Sequence, residues 1–231
     1  MKPQESSPDT SSLTREEEQA EVIHRLEEDI IFGRFAPGSR LVEDTLMTRY
    51  GASRHFVRQA LFQLERQGIV LREKNIGATV RFYSADEVRQ IYEVREMLTR
   101  QAALMIALPA PAALIEQLIE LQRQYCTKAD AQDLRGIHEA NDAFHVALFS
   151  ACGNPYLVRS LQDYMNLTLP MRAKNLADRE GLALSRRQHE LMIELLKGRD
   201  SWAFAQLCVD HMQFSKSDYL GRIANDDKKP Q

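Results

Sequence analysis

The sequence predicts a mainly α protein in two parts, a small mixed head followed by an all-α antiparallel helical bundle. Three observations carry this. Apolar residues recur at helical spacing along most of the chain. The strand-like runs, 69–71 and 79–82, lie together around a short turn at 75–77. Glycine and proline are few, 10 and 8 in 231 residues, which argues against sandwiches and barrels.

Residues 1–12 are polar and rich in Ser and Pro and read as a disordered tail. A helix begins at Thr14. Thr14 and Glu17 have capping-box spacing, and Glu16, Glu17 and Glu18 put negative charge at the positive end of the helix dipole. Val22, Ile23, Leu26, Ile30 and Ile31 form its apolar face, and Gly33 with Pro37-Gly38 ends it. A short helix is expected over 41–50. Gly51-Ala52 breaks it, Ser53 caps the next, and Gly68 sits where a helix C′ glycine belongs. The two strands follow.

From Ser84, whose spacing to Glu87 is again that of a capping box, the pattern is helical throughout. Helices are expected over 84–107, 112–127, 130–151, 155–177, 182–198 and 200–220. Breaks are expected at Pro109/Pro111, Gly153-Asn154-Pro155, Gly181 and Gly198-Arg199-Asp200. The division is therefore a 13–82 head, an 84–222 bundle and a frayed tail over 223–231.

Composition narrows the function. A net charge of −3 excludes a protein that grips nucleic acid through bulk charge, but not a locally basic surface. Three scattered cysteines without CxxC spacing argue against a disulfide framework and fit a reducing cytoplasm. No apolar run is long enough to span a membrane, so no membrane partner is expected.

Helix, short helix, tight turn, helix, two-stranded ribbon is the order of a winged helix-turn-helix. Arg54 and Arg58 are four residues apart at the start of the third helix and share one face. Arginines placed there can pair with guanine edges or clamp phosphates of double-stranded DNA. Ser53, His55 and Gln59 flank them, and Lys74, Asn75 and Gly77 form the ribbon tip. Between residues 40 and 81 there are eight cations and four anions, a local charge of +4.

These residues carry a resemblance. The stretch Ile31 to Leu41, with Gly33, Pro37-Gly38 and Arg40-Leu41, resembles the opening of the GntR family of bacterial transcription regulators. Ser53-Arg54-His55-Phe56-Val57-Arg58-Gln59-Ala60-Leu61 with Leu64-Glu65-Arg66-Gln67-Gly68 is similar to that family's recognition helix, and Asn75 to Val80 to its wing. Phe56 stands where proline is usual, Gln59 where glutamate is usual, and Asp44 where some members carry a DNA-contacting arginine. The resemblance implies a ligand-responsive regulator, a repressor by first expectation, bound as a homodimer to a palindromic operator.

In the second part, Asn141 and His145 are i, i+4 on one helix face, and His189 and His211 lie about equally far on either side of the Gly198 break. If those two helices are antiparallel, the imidazoles come level. Taken singly, each histidine reads as a packed or surface residue, and His138 is left in that class. Three imidazoles and one oxygen suit zinc, nickel or manganese. Phe144-His145 to Leu148 with Gly153-Asn154-Pro155, and Gln188-His189-Glu190 to His211, resemble the FCD ligand-binding domain of the FadR-type branch. That resemblance implies a metal held by Asn141, His145, His189 and His211. It implies an anionic effector, a small carboxylate, at Arg95, with Arg172 a second candidate. Thr99 falls where the branch commonly has glutamate. Two other classes remain open at this point: a metal-dependent hydrolase or lyase with an accessory DNA-binding domain, and a structural nucleoid protein.

Overall fold

The computed structural model describes residues 14–73, 77–176 and 178–226. The order is α1 (Arg15–Ile31), β1 (Arg40–Leu41), α2 (Glu43–Tyr50), α3 (Arg54–Arg66), β2 (Val70–Glu73), β3 (Gly77–Val80) and α4 (Ala85–Met105). Then come α5 (Ala112–Asp130), α6 (Leu134–Ser150), α7 (Pro155–Leu167), α8 (Leu169–Leu176), α9 (Arg179–Lys197) and α10 (Ser201–Asp226). The fold is a mainly α winged helix-turn-helix followed by a helical bundle.

Local chemistry explains the helix starts. Thr14 and Ser84 each close a full capping box, with Glu17 and Glu87 reaching back to the cap N–H. Ser53 caps α3 through Phe56 N, and Asn154 caps α7 ahead of Pro155. The wing is a three-stranded antiparallel sheet in the order β1-β3-β2. Its first strand was not foreseen, because Arg40–Leu41 spans two residues and carries no readable alternation. As a result α2 starts at Glu43 instead of residue 41.

Other boundaries differ from expectation; α5 runs on to Asp130 and α6 starts at Leu134 instead of residue 130. The segment 155–177 is two helices, broken at Thr168. Pro170 has no N–H to give the Asn166 carbonyl and its ring crowds that carbonyl, so one continuous helix cannot run through it. Gly181 does not end a helix. It lies in the first turn of α9, and the break is at Asp178, whose carboxylate accepts from Glu180 N and Gly181 N. Helix α10 continues to Asp226, past the expected start of the frayed tail at 223. Residues 1–12 and 227–231 lie outside the described residues.

The head core joins α1, α3 and the sheet through Leu26, Ile30, Val57, Leu61, Leu64, Ile69 and Val80. Among the described residues, one side chain from the bundle completes it: Leu169, at the start of α8. Two larger contacts flank that plug. A methyl on Gly68, which has φ +76°, would stand 2.6 Å from Leu167 Cδ2, so the end of α3 rests on the end of α7. Tyr83 donates from its hydroxyl to the Gly68 carbonyl at 2.6 Å.

A buried charge ties the head together. Asp29 accepts from Arg34, Arg49 and Tyr50, the last at 2.9 Å. Burial alone would raise its carboxyl, but the hydrogen bonds from Arg49, Arg34 and Tyr50 outweigh this and hold it below the ordinary aspartate range. A lowered folded pKa means stability present above the unfolded value near ~3.9 and lost as pH falls through the folded one. Asp29→Ala is expected to lose about 2 kcal/mol at neutral pH, because Tyr50 keeps a buried hydroxyl with no acceptor while the exposed Arg34 and Arg49 lose their partner. Urea unfolding at pH 7 and at pH 3 checks both points. The difference between variant and parent should shrink in acid.

Candidate functional site

In the head, α3 presents Ser53, Arg54, His55 and Arg58 on an exposed face, with Gln59 half-buried beside them. Ser53 Oγ is committed to the helix cap at Phe56 N. Arg54 Nη2 donates to Asp44 Oδ1 at 2.6 Å, and Arg58 Nε donates to both Glu43 oxygens at 3.0 Å. The two acids at the start of α2 therefore hold the two arginines in exposed ion pairs, which are weak and exchangeable for phosphate or base edges. Phe56 is buried, so it packs inward and takes no part in this face. Gly77 opens β3 at φ +97°, near the Arg40 guanidinium. Lys74 and Asn75 lie outside the described residues.

The bundle brings together residues from five helices around one cavity of about 40 Å³, room for an ion and a few water-sized groups. Arg95 from α4, Asn141 and His145 from α6, Arg172 from α8, Gln188 from α9 and His211 from α10 line it. His189 from α9 stands behind, fully buried and stacked on Phe144 with ring centroids 4.2 Å apart. Helices α9 and α10 do pack together, and the ring nitrogens of His145, His189 and His211 that could hold a metal all lie within 4.8 Å of one another.

Two glutamines orient this trio. His189 Nδ1 donates to Gln122 Oε1 at 2.9 Å, and His211 Nδ1 donates to Gln188 Oε1 at 2.8 Å. Gln122 is itself held by its Nε2 on the Arg186 carbonyl at 3.2 Å. Each of these two imidazoles thus turns a bare Nε2 inward. His145 Nε2 lies 3.3 Å from one and 3.1 Å from the other. A proton on His145 could satisfy only one of them, whereas a cation at the centre would satisfy all three. Burial pushes His145 and His189 well below the ordinary histidine range, and burial together with Arg95 and Arg172 takes His211 to about 3. All three are neutral at pH 7 and free to donate lone pairs.

Asn141 lines the same cavity. Its Nδ2 points to Asp142 Oδ1 at 3.5 Å, which leaves the amide oxygen for the cavity it lines. Two buried cations face the same space. Arg95 donates to Thr168 Oγ1 at 2.8 Å, and Arg172 donates to Asp142 Oδ1 at 2.8 Å and to the Met165 carbonyl at 3.2 Å. The Nε of each arginine is buried without a partner among the described residues. Burial and the neighbouring Arg172 lower Arg95 to about 10, so it stays charged at neutral pH. Thr99 is buried and donates to Met212 Sδ, contributing no charge. His138 stays apart, 3.7 Å from Asp142 on the same helix.

Residues 18–80 match the model of the gntR family of bacterial regulatory proteins, and residues 90–214 match that of the FCD domain. The chain belongs to the GntR family, in its FCD-bearing branch. As a GntR protein with an FCD domain it is a DNA-binding regulator of transcription and not an enzyme. Its relatives include the HTH-type transcriptional regulator YdhC of Bacillus subtilis, 25% identical over 190 residues, 81% of this chain and 84% of that one. The HTH-type transcriptional repressor GlaR of Escherichia coli is 26% identical over 205 residues, 81% of this chain and 89% of that one. The fold is shared with a GntR transcriptional regulator from Rhodococcus sp. RHA1. That likeness has a TM-score of 0.67 at 23% identity and covers 88% of this chain and 97% of that one.

Four residues of this GntR chain's site escaped sequence reasoning: Gln122, Gln188, Asp142 and Thr168. Gln188 had a signal, its place directly before His189. Gln122 had none, since it sits 67 residues from the imidazole it orients.

Proposed function

We propose that this protein is a cytoplasmic repressor. As a homodimer it binds a palindromic operator and is released by a small carboxylate sensed at a metal-containing pocket. The 13–82 part is the reader and the 84–222 part the sensing and dimerising domain. The metal, zinc, nickel or manganese, would be held by His145, His189 and His211 with the Asn141 oxygen. The single observation that carries this is the convergence of three neutral, inward-turned Nε2 atoms on a cavity faced by two buried guanidiniums.

The bound ion would offer a Lewis-acid anchor for an acid's carboxylate. The protein's own groups do the rest. Arg95 and Arg172 place two positive charges at a buried wall with one nearby anion, Asp142, to offset them. A divalent ion would deepen that surplus, and a neutral Asn141 does nothing to reduce it. An anionic ligand satisfies it, and guanidinium donors suit carboxylate geometry. Repression is supported by the relatives GlaR and RspR of Escherichia coli, both named transcriptional repressors and both 26% identical. Two heads on a two-fold axis suit half-sites about one helical turn apart.

Elemental analysis of unchelated protein, paired with a gel shift on the DNA upstream of its own gene, tests the proposal. The expected result is near one equivalent of metal per chain and a sequence-dependent shift that small carboxylates reverse. Metal below about a tenth of an equivalent would overturn the pocket reading. The orienting glutamines offer a finer check. Gln122→Ala is expected to weaken metal affinity about 10- to 100-fold, as removal of a ligand's outer hydrogen-bond partner does. Competition with a calibrated chelator reads that loss.

A further inference from the structure

We infer that the junction between α7 and α8 carries the state of the cavity to the recognition helix. This rests on the effector reading above, and it concerns residues that reading leaves out. Two sets of contacts meet within the junction. On the cavity side, Arg95 is moored on Thr168 Oγ1 at 2.8 Å, and Arg172, itself on α8, bonds the Met165 carbonyl of α7 at 3.2 Å besides its ion pair to Asp142 at 2.8 Å. On the head side, Leu167 lies against Gly68 and Leu169 is buried in the head core. Neighbouring residues of one short stretch thus face opposite ways.

Gly68 is the residue that turns the chain out of α3. Its N–H donates to the Glu65 carbonyl at 2.9 Å, and its own carbonyl takes the Tyr83 hydroxyl at 2.6 Å. A shift of Leu167 therefore bears on the end of the helix that carries Arg54 and Arg58. Helix α8 adds a second hold, since Met171 packs with Tyr83 and Tyr92.

The exchange at the cavity follows from acceptor strength. A hydroxyl and a backbone carbonyl are weaker partners for guanidinium than a carboxylate is. An entering carboxylate takes Arg95 from Thr168 and Arg172 from Met165, and the junction loses both moorings at once. Because Leu167 and Leu169 belong to the same stretch, the head feels the loss. The ligand then favours the arrangement in which the junction is free, as any ligand favours the state it binds more tightly.

Hydrogen exchange of the full-length protein tests the link without any ligand. Thr168→Val removes Arg95's acceptor together with the hydroxyl's bonds to the Tyr164 and Met165 carbonyls, Thr168→Ser restores the hydroxyl, and Leu161→Ala loosens the bundle core about two turns before the junction. Amides over 61–71 are expected to exchange roughly tenfold faster in the valine variant and at the parent rate in the serine variant. Leu161→Ala should leave them unchanged while bundle amides speed up. Parent-like exchange over 61–71 in Thr168→Val, or equal acceleration in Leu161→Ala, overturns the inference. Zinc titration of the same samples separates the two claims. Failure of the parent to take up zinc would sink the metal reading, and the exchange comparison would still decide the junction.

Discussion

Replacing Arg54 and Arg58 together by alanine is expected to lower affinity for the upstream DNA by roughly a hundredfold or more, with the fold intact. Each bidentate contact to a base contributes about 1–3 kcal/mol, so the pair reaches a hundredfold once each contributes about 1.4 kcal/mol, near the low end of that range. Both side chains are exposed and their ion pairs to Asp44 and Glu43 are surface pairs, so the loss in stability stays within about 0.5 kcal/mol. The variant also leaves Glu43 and Asp44 facing the phosphates unneutralised, which adds repulsion. Fluorescence anisotropy at fixed salt reads the change, and a salt series separates its parts. Base contacts lower affinity at all salt concentrations, whereas phosphate contacts reduce the slope by about one for each lost arginine. Affinity within twofold of the parent would remove α3 from the role of recognition helix.

The second large effect concerns the trio of histidines. His211→Ala is expected to abolish metal retention at micromolar ion and to leave thermal stability indifferent to chelator. In the parent, an ion at a hundred times its dissociation constant stabilises the native state by about 2.7 kcal/mol. Chelation should therefore lower the parent's midpoint by several degrees, on the order of 2–4 °C per kcal/mol at this size. His211 suits this test because it lies at the cavity wall and is only half-buried. His189 is fully buried and stacked on Phe144, so its removal would also open a cavity and confuse the two effects. Scanning calorimetry of both proteins, with and without chelator, gives four traces. A parent midpoint unmoved by chelator would argue against a resident metal.

Much of the fold was legible because its signals are local. Both capping boxes, the C′ glycine of α3 and the periodic apolar faces depend on residues within a few positions of each other. The convergence of His189 and His211 was legible too, because roughly similar distances from one helix break bring two side chains to similar heights if the helices are antiparallel. What stayed hidden depends on long-range partners. Nothing near Gln122 says that its oxygen will meet His189. Thr168 looks like any helical threonine until Arg95, from 73 residues away, finds its hydroxyl. The charge count misled in one respect: Arg49, tallied with the basic surface, turns away to Asp29 and serves the head's own stability. The break at Thr168 was within reach, since Pro170 stands beside it.

Leu169 has a consequence for anyone who would treat the head as an interchangeable part. A chimaera that joins residues 14–83 to an unrelated sensor would leave the leucine's seat in the head core vacant and the underside of Gly68 bare. Such a graft would lose affinity for DNA through a softened reader even with every base-contacting side chain in place. A donor sensor that offers an apolar residue at the same seat is the better choice, and supplying one by design should restore a rigid recognition helix.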